Sequence, residues 1–199
     1  MSVYIHCGLR SPIGVLNGQY KHMRPEILGS QVIDEIINRY TISHIDGIFC
    51  GNAVGTGGNL GRLMGLMCNL PNSVPAITVD MQCASALMSI EIAYAHIVSG
   101  IMDSAIAGGI ESSSLQPERV YASGDDREGP YKVAQFTPQD QSPLAMLKGA
   151  ERTIHKYNVT KEDLYPHIIG SHQRASAALD NPYLQSYIMP ITIDGKRCI

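Results

Sequence analysis

Apolar and polar residues come in blocks along this chain, and the spacing inside each block predicts its element. "VYIHC" (Val3 to Cys7) is a short apolar run and predicts a buried strand. In "RPEILGSQVIDEIINRY", Leu28, Val32, Ile36 and Tyr40 fall four apart, with Ile33 and Ile37 beside them and Asp34, Glu35 and Arg39 off the stripe. Recurrence at that interval predicts a helix with one buried face. "DGIFCG" (Asp46 to Gly51) predicts a second strand, "NAVGTGGNLGR" a loop, and "LGRLMGLMCNL" a short helix that stops before Pro71. "AITVDM" (Ala76 to Met81) is rich in β-branched residues and predicts a third strand. After Cys83, the residues Ala84, Leu87, Met88, Ile90, Ile92, Ala93, Tyr94, Ile97 and Val98 cover nearly every face of a helix. This predicts a helix buried on most sides, ended by Gly100. "DSAIAGG" (Asp103 to Gly109) predicts a fourth strand.

Strand and helix in repeated alternation predict an α/β fold with a mostly parallel sheet, helices on both faces and right-handed crossovers. The texture changes after Ser112. Residues 112–141 are polar, contain three prolines, and read as a long surface loop. "SPLAMLKGAERTIHKY" predicts a helix with Ser142 as cap and Pro143 at its first position. "TKEDLYPHIIGSHQRASAALD" predicts another. In it Thr160 and Asp163 form a capping-box pattern, and Pro166 is expected to kink or restart the helix. "PITIDGKRCI" shows no clear closing element. The expected organisation is therefore a core over residues 1–111 and a loop-domain region over 112–199.

Composition narrows the classes. With 44% hydrophobic and 17% charged residues in 199, the chain has a globular composition. A net charge of −3 gives no reason to expect a nucleic-acid surface. No apolar run is long enough to span a bilayer, and the start lacks the pattern of a signal peptide. A cytoplasmic protein with no membrane association is expected. Five cysteines, odd in number and without a close-spaced pair, predict reduced thiols and neither a disulfide framework nor a zinc site.

Cys83 is the candidate for chemistry. It lies between a strand and a helix, where a helix N-terminus favours the thiolate and the turn carries the side chain beyond the carboxyl end of the sheet. A buried, inert cysteine is the alternative at this point. Cys7, Cys50 and Cys68 lie inside strand or helix runs and read as core, and Cys198 is uninformative. The "GTGGNLGR" loop is not a dinucleotide fingerprint. Its glycines at 55 and 57 require a third at 60 and find it at 61. Among seven histidines none has a metal-ligand spacing, and His96 reads as a core residue. Glu111, after the glycine pair, either buttresses the site or is structural.

Several of these pieces occur in order: "RSPIG" (Arg10 to Gly14), "GN" (Gly51, Asn52), "NLGR" (Asn59 to Arg62), "VPAITVDMQCASAL" (Val74 to Leu87), "AGGIES" (Ala107 to Ser112) and "GSHQRA" (Gly170 to Ala175). Together they resemble the thiolase family of acetyl-CoA acyltransferases, over almost the whole chain. The resemblance implies a layered α/β fold with a loop-domain insertion, and Cys83 as the nucleophile that holds an acyl group as a thioester. It implies acyl-CoA and CoA as the partners, no separate cofactor, no metal, a role in fatty acid metabolism and a homo-oligomer in the full-length form. Family members also have a similar second half, absent here. The Gly-His-Pro histidine, the Cys-x-Gly cysteine and the Asn-Glu motif that the family places there do not occur in these 199 residues. Ala145 falls where some members have a histidine, and the last strand of the first half is expected beyond Ile199. The expectation is a truncated, poorly active or inactive thiolase fragment. A ketoacyl-synthase-like condensing enzyme and a non-catalytic remnant are the alternatives.

Overall fold

The first strand is the hub. β1 (Gly47–Gly51) is buried at all five positions, because it lies between two neighbours and has helices on both sides. The structure is a computed structural model that describes residues 2–198 apart from 56, 133, 136, 137, 139–141 and 143. Before β1 comes α1 (Pro25–Arg39), started by Pro25 at its first position. After it come α2 (Leu60–Met67), β2 (Ala76–Val79), a 3-10 turn at Gln82–Ala84, α3 (Ser85–Val98) and β3 (Ala105–Gly109). The sheet order is β2-β1-β3, all parallel, with Gly51 opposite Val79 on one side and Gly109 on the other.

Side-chain alternation along β1 assigns the layers. Ile48 and Cys50 pack with Ile33 of α1 and Met64 and Cys68 of α2. Phe49 points the other way, with its ring 5.0 Å from that of His96 on α3. The result is a three-layer arrangement, α1 and α2 on one face and α3 on the other. At the amino end of the sheet, Asp46 pins β1 to β3. Its carboxylate accepts the N–H groups of Asp103 and Ser104 at 2.9 and 3.0 Å. Those bonds, together with His44 at 2.6 Å, hold its pKa down to about 2.

The chain divides into two compact units, Met1–Pro117 with Ser186–Ile199, and Glu118–Gln185. The texture break at Ser112 lies near the first boundary. The final stretch, however, rejoins the first unit, which differs from a single region over 112–199. The cause is packing: Ile191 is fully buried with Met189, Tyr20 and Leu28. Gln31 also bonds Thr192 in both directions, Nε2 to its carbonyl at 3.0 Å and Oε1 from its N–H at 2.8 Å. A closing element is present after all, an antiparallel hairpin of Ile191–Ile193 with Lys196–Cys198. Its two-residue turn, Asp194 and Gly195, takes positive φ at both positions (47° and 76°), the conformation an Asp-Gly pair favours.

In the second unit, β4 (Arg119–Val120) pairs with β5 (Pro130–Tyr131), and Tyr121 stacks on Tyr131 at 4.3 Å. Three helices follow: α4 (Ala145–Lys156), α5 (Lys161–Leu179) and α6 (Pro182–Gln185). The expected start of α4 shifts. Ser142 Oγ accepts the N–H of Leu144 at 3.2 Å, but the helix begins at Ala145. The place expected for Pro143 lies outside the described residues. The capping box of Thr160 and Asp163 is present in both directions, and α5 continues through Pro166 as one helix without restarting.

Two further expectations fail. Val3–Cys7 forms no strand, and Tyr4 and Ile5 are 83% and 87% exposed. An apolar run becomes a strand only against an edge that can take its backbone hydrogen bonds. This arm pairs its backbone at Arg10, whose N–H donates to the Tyr187 carbonyl and whose carbonyl accepts the N–H of Met189. Nor is α3 buried on most sides: its buried positions are Ser85, Ser89 and Ala93. The helix starts so close to the sheet that only small side chains fit between along its first turns, and most of its large apolar residues turn outward. Leu87 is 68% exposed, and Ile90, Tyr94 and Val98 are exposed beside it.

That outward stripe is apolar except for Glu91, and contiguous apolar patches of this kind mark association surfaces. The chain is therefore expected not to persist as a dispersed monomer. In size-exclusion chromatography with light scattering, wild type should run above its 21.6 kDa mass. The triple variant Leu87→Gln, Ile90→Gln, Tyr94→Gln should move toward the monomer. Because the positions are exposed, each change should alter stability by no more than about 0.5 kcal/mol. A sharp monomer peak for wild type would contradict this.

Candidate active site

All three parallel strands end on one edge, and the connections there carry the polar residues that the sequence motifs singled out. The chain leaves β2 at Asp80, whose Oδ1 accepts the N–H of Gln82 at 2.9 Å. Gln82 takes a left-handed conformation (φ 52°), uncommon for a residue with a side chain. Ser85 closes the turn: its Oγ accepts the N–H of Met81 at 2.8 Å and donates to the Gln82 carbonyl at 2.6 Å. Cys83 sits in the middle of this 3-10 turn, and α3 proper starts two residues later at Ser85. The expected strand-to-helix position is thus correct, with a tighter turn than a helix start. The side chain of Cys83 is exposed.

Glycines bring the turn to the edge. A Cβ at Gly51 would lie 2.5 Å from the Ala86 nitrogen and 2.5 Å from the Ser85 carbonyl carbon. One at Gly109 would meet the Ala86 Cβ at 2.9 Å and the Gly51 carbonyl oxygen at 3.1 Å. Only bare backbone at both strands allows the first turn of α3 to approach this far. Deeper in, Ser89 is fully buried, with its hydroxyl 2.9 Å from the Gly108 carbonyl. The "GN" and "AGG" motifs and the small residues of "CASAL" are thus two sides of one contact.

The "NLGR" motif, expected at the end of a loop, stitches α2 to β2 and to the loop before it. Asn59 caps α2 by accepting the N–H of Arg62 at 3.1 Å, and its Nδ2 donates to the Ala76 carbonyl at 2.8 Å. Arg62 donates to the carbonyls of Val74 and Asn72 at 2.6 and 2.7 Å. Asparagine as N-cap before an apolar run was the signal that could have revealed it. Glu111 bonds Asn52 and the backbone of Ala53, Val54 and Ser112, all on the Cys83 edge.

The remaining thiols differ in environment. Burial pushes Cys50 up to about 11 and, with the Asp34 charge adding, Cys68 up to about 12; it also raises Cys7. His96, expected in the core, is half-buried: its Nδ1 lies 2.9 Å from the Ile92 carbonyl and its ring packs on Phe49. The His44–Asp46 pair lies at the amino end of the strands, away from Cys83. A cavity of about 290 Å³, lined by Ile37, Ile42, His44, Asp46, Leu70 and Val74 among others, lies at that same end and does not include Cys83. Among the described residues no cluster of His, Cys, Asp or Glu could hold a metal ion, and no helix is long and apolar enough to cross a membrane.

Residues 3–198 match the thiolase N-terminal domain. The chain belongs to the thiolase family. It is 34% identical over 193 residues to the Staphylococcus aureus (strain MSSA476) protein named "Putative acetyl-CoA C-acetyltransferase VraB", covering 94% of this chain and 51% of that one. The VraB of the same name from Staphylococcus epidermidis is 32% identical over 197 residues, with 94% and 50% covered. The crystal structure of the Bacillus anthracis acetyl-CoA acetyltransferase superposes with a TM-score of 0.78 at 25% identity, covering 94% of this chain and 50% of that one. The thiolase-like layered fold, with a mostly parallel sheet and helices on both faces, is therefore shared. The chain spans about half the length of the relatives it matches.

The thiol environments predict an order of labelling. At pH 8 a thiol that titrates near 11 is roughly 0.1% thiolate, the reactive form. Limiting iodoacetamide on the folded chain, followed by peptide mapping, should label Cys83 well before Cys50 or Cys68. Labelling of Cys50 or Cys68 first would contradict the assigned burial.

Proposed function

We propose that this chain is the acyl-accepting part of a thiolase-type acyltransferase, with Cys83 as the nucleophile. The observation that carries the reading is the exposed Cys83 in a 3-10 turn at the carboxyl edge of the parallel sheet, within a chain of the thiolase family. Open α/β sheets bind ligands at that edge.

The step is a thioester exchange. The Cys83 sulfur attacks the carbonyl carbon of acyl-CoA, and the new S–C bond forms as the carbon becomes tetrahedral. Backbone N–H groups at the turn, that of Cys83 included, are suited to stabilise the oxyanion. The bond from carbonyl carbon to CoA sulfur then breaks, and the thiol proton ends on the CoA thiolate. Sulfur serves both as nucleophile and as leaving group, so one thioester is exchanged for another. In synthesis a second acetyl-CoA, deprotonated at its α-carbon, takes the acyl group to give a 3-oxoacyl-CoA and frees Cys83. In degradation the sequence runs backwards. The groups that the resemblance assigns to activating the nucleophile and moving the α-proton do not occur in these residues. The chain by itself therefore performs at most the acylation half. CoA thioesters are the substrates, with no separate cofactor. A place in fatty acid metabolism, a cytoplasmic setting and a homo-oligomeric full-length form belong to the same proposal, and family membership supports them.

The test follows acetyl groups. Incubation with acetyl-CoA should add one acetyl group to the peptide containing Cys83, and Cys83→Ala should abolish it. Cleavage of acetoacetyl-CoA by CoA should remain far below a thiolase rate, because missing acid–base assistance is worth ~10²–10⁴-fold. Acetyl on another cysteine, or normal turnover by these 199 residues, would overturn the proposal. Transfer from an acetylated carrier protein but not from acetyl-CoA would favour the ketoacyl-synthase-like alternative.

A further inference from the structure

The Glu111 carboxylate takes four N–H donors from two chain segments, Asn52–Val54 and Ser112. Oε2 accepts the backbone N–H of Ala53 at 3.0 Å and of Val54 at 2.9 Å. Oε1 accepts from Asn52 Nδ2 at 3.0 Å and from the N–H of Ser112 at 3.3 Å. Asn52 is itself buried. Its Nδ2 also reaches the Ile110 carbonyl at 2.8 Å, and its backbone N–H donates to the Val79 carbonyl at 3.0 Å. Ile110 in turn donates to the Gly51 carbonyl at 3.0 Å. One carboxylate thus ties the exits of β1 and β3 together, and through Asn52 it holds the end of β2. These are the three chain segments that leave the sheet on the edge of Cys83. Gly51, next to Asn52, is the residue on which the first turn of α3 rests.

We infer that Glu111 is a positioning residue for acyl transfer at Cys83: it fixes the Asn52–Val54 turn, and with it the edge on which Cys83 receives the acyl group. The inference rests on the reading of Cys83 as the nucleophile. The chemistry requires an acceptor with two oxygens. Glutamine at this position has one oxygen and one N–H₂ group, so in either orientation one pair of donors faces another donor. Aspartate keeps both oxygens and the charge but is one methylene shorter.

The test compares wild type, Glu111→Gln and Glu111→Asp of the full chain by three measurements: acetyl transfer from acetyl-CoA to Cys83, alkylation of Cys83 by iodoacetamide, and hydrogen exchange at Ala53 and Val54. In Glu111→Gln, exchange at both amides should rise about tenfold or more, and acetyl transfer should fall by about tenfold, as expected for two lost charge-assisted hydrogen bonds. Alkylation by the small reagent, which needs no positioned edge, should stay within about twofold. Glu111→Asp should recover part of the acetyl transfer, and it carries the comparison if the glutamine variant does not fold. Unchanged acetyl transfer in Glu111→Gln, beside a wild type that is acetylated, overturns the inference alone. A wild type that takes no acetyl at Cys83 overturns the nucleophile reading and this inference with it. In that case, amide protection lost in Glu111→Gln would show a clamp of purely structural role.

Discussion

The closeness of α3 to bare strand backbone governs this structure. The first turn of the helix rests on Gly51 and Gly109, at separations that no Cβ could occupy. The sheet-facing residues of the first turns of α3 must then be small, and Ser85, Ser89 and Ala93 are; a large ring, His96, meets Phe49 of β1 only in the last turn. The buried hydroxyl of Ser89 finds its acceptor on the opposing strand at Gly108, so the close contact leaves no polar atom stranded. The large apolar residues of α3 are displaced to its outer face as a direct result. The same contact sets the height of the turn before the helix, and Cys83 is in that turn.

Polar side chains then hold the open ends of the strands. At the carboxyl edge, backbone groups leave the ladder and need partners. Asn52 and Glu111 supply them between β1 and β3, Ser85 and Asp80 supply them around the turn of Cys83, and Asn59 with Arg62 supplies them between α2 and β2. At the other end Asp46 does the same for the start of β3. Hydrogen bonds to charged groups are worth about 1.5–3 kcal/mol each, more than neutral ones, which suits carboxylates to these junctions. The sheet is short, so its ends are a large part of it.

Local signals were legible in proportion to how local their causes are. The strands at Gly47–Gly51, Ala76–Val79 and Ala105–Gly109 and the helix at Pro25–Arg39 follow from run length and period, and all were expected near their observed positions. The capping box at Thr160 depends on two residues three apart and was visible for that reason. Val3–Cys7 failed because strand formation depends on a distant edge that no short window contains. The outward face of α3 failed because the period says only that a helix is apolar, not which side the sheet will take. Gly51 and Gly109 held that information, since glycines on adjacent strands require a small-residue face opposite. The terminal hairpin was missed although Asp194-Gly195 announces its turn. The place of Cys83 between strand and helix was legible in the sequence. The four donors on Glu111 were not, because three of them come from residues 57 to 59 positions away.

The close approach at Gly51 is open to one direct measurement, the urea unfolding of Gly51→Ala. Glycine in a strand normally gives way to alanine with a gain of about 0.4–1 kcal/mol, through the unfolded chain. Here the new methyl meets backbone atoms of Ser85 and Ala86 at 2.5 Å, and backbone is costly to move. The account predicts a loss of about 1–3 kcal/mol with an unchanged denaturant slope. A variant as stable as wild type, or more stable, would show that α3 does not press on β1 as described, and that the seating of Cys83 has another cause.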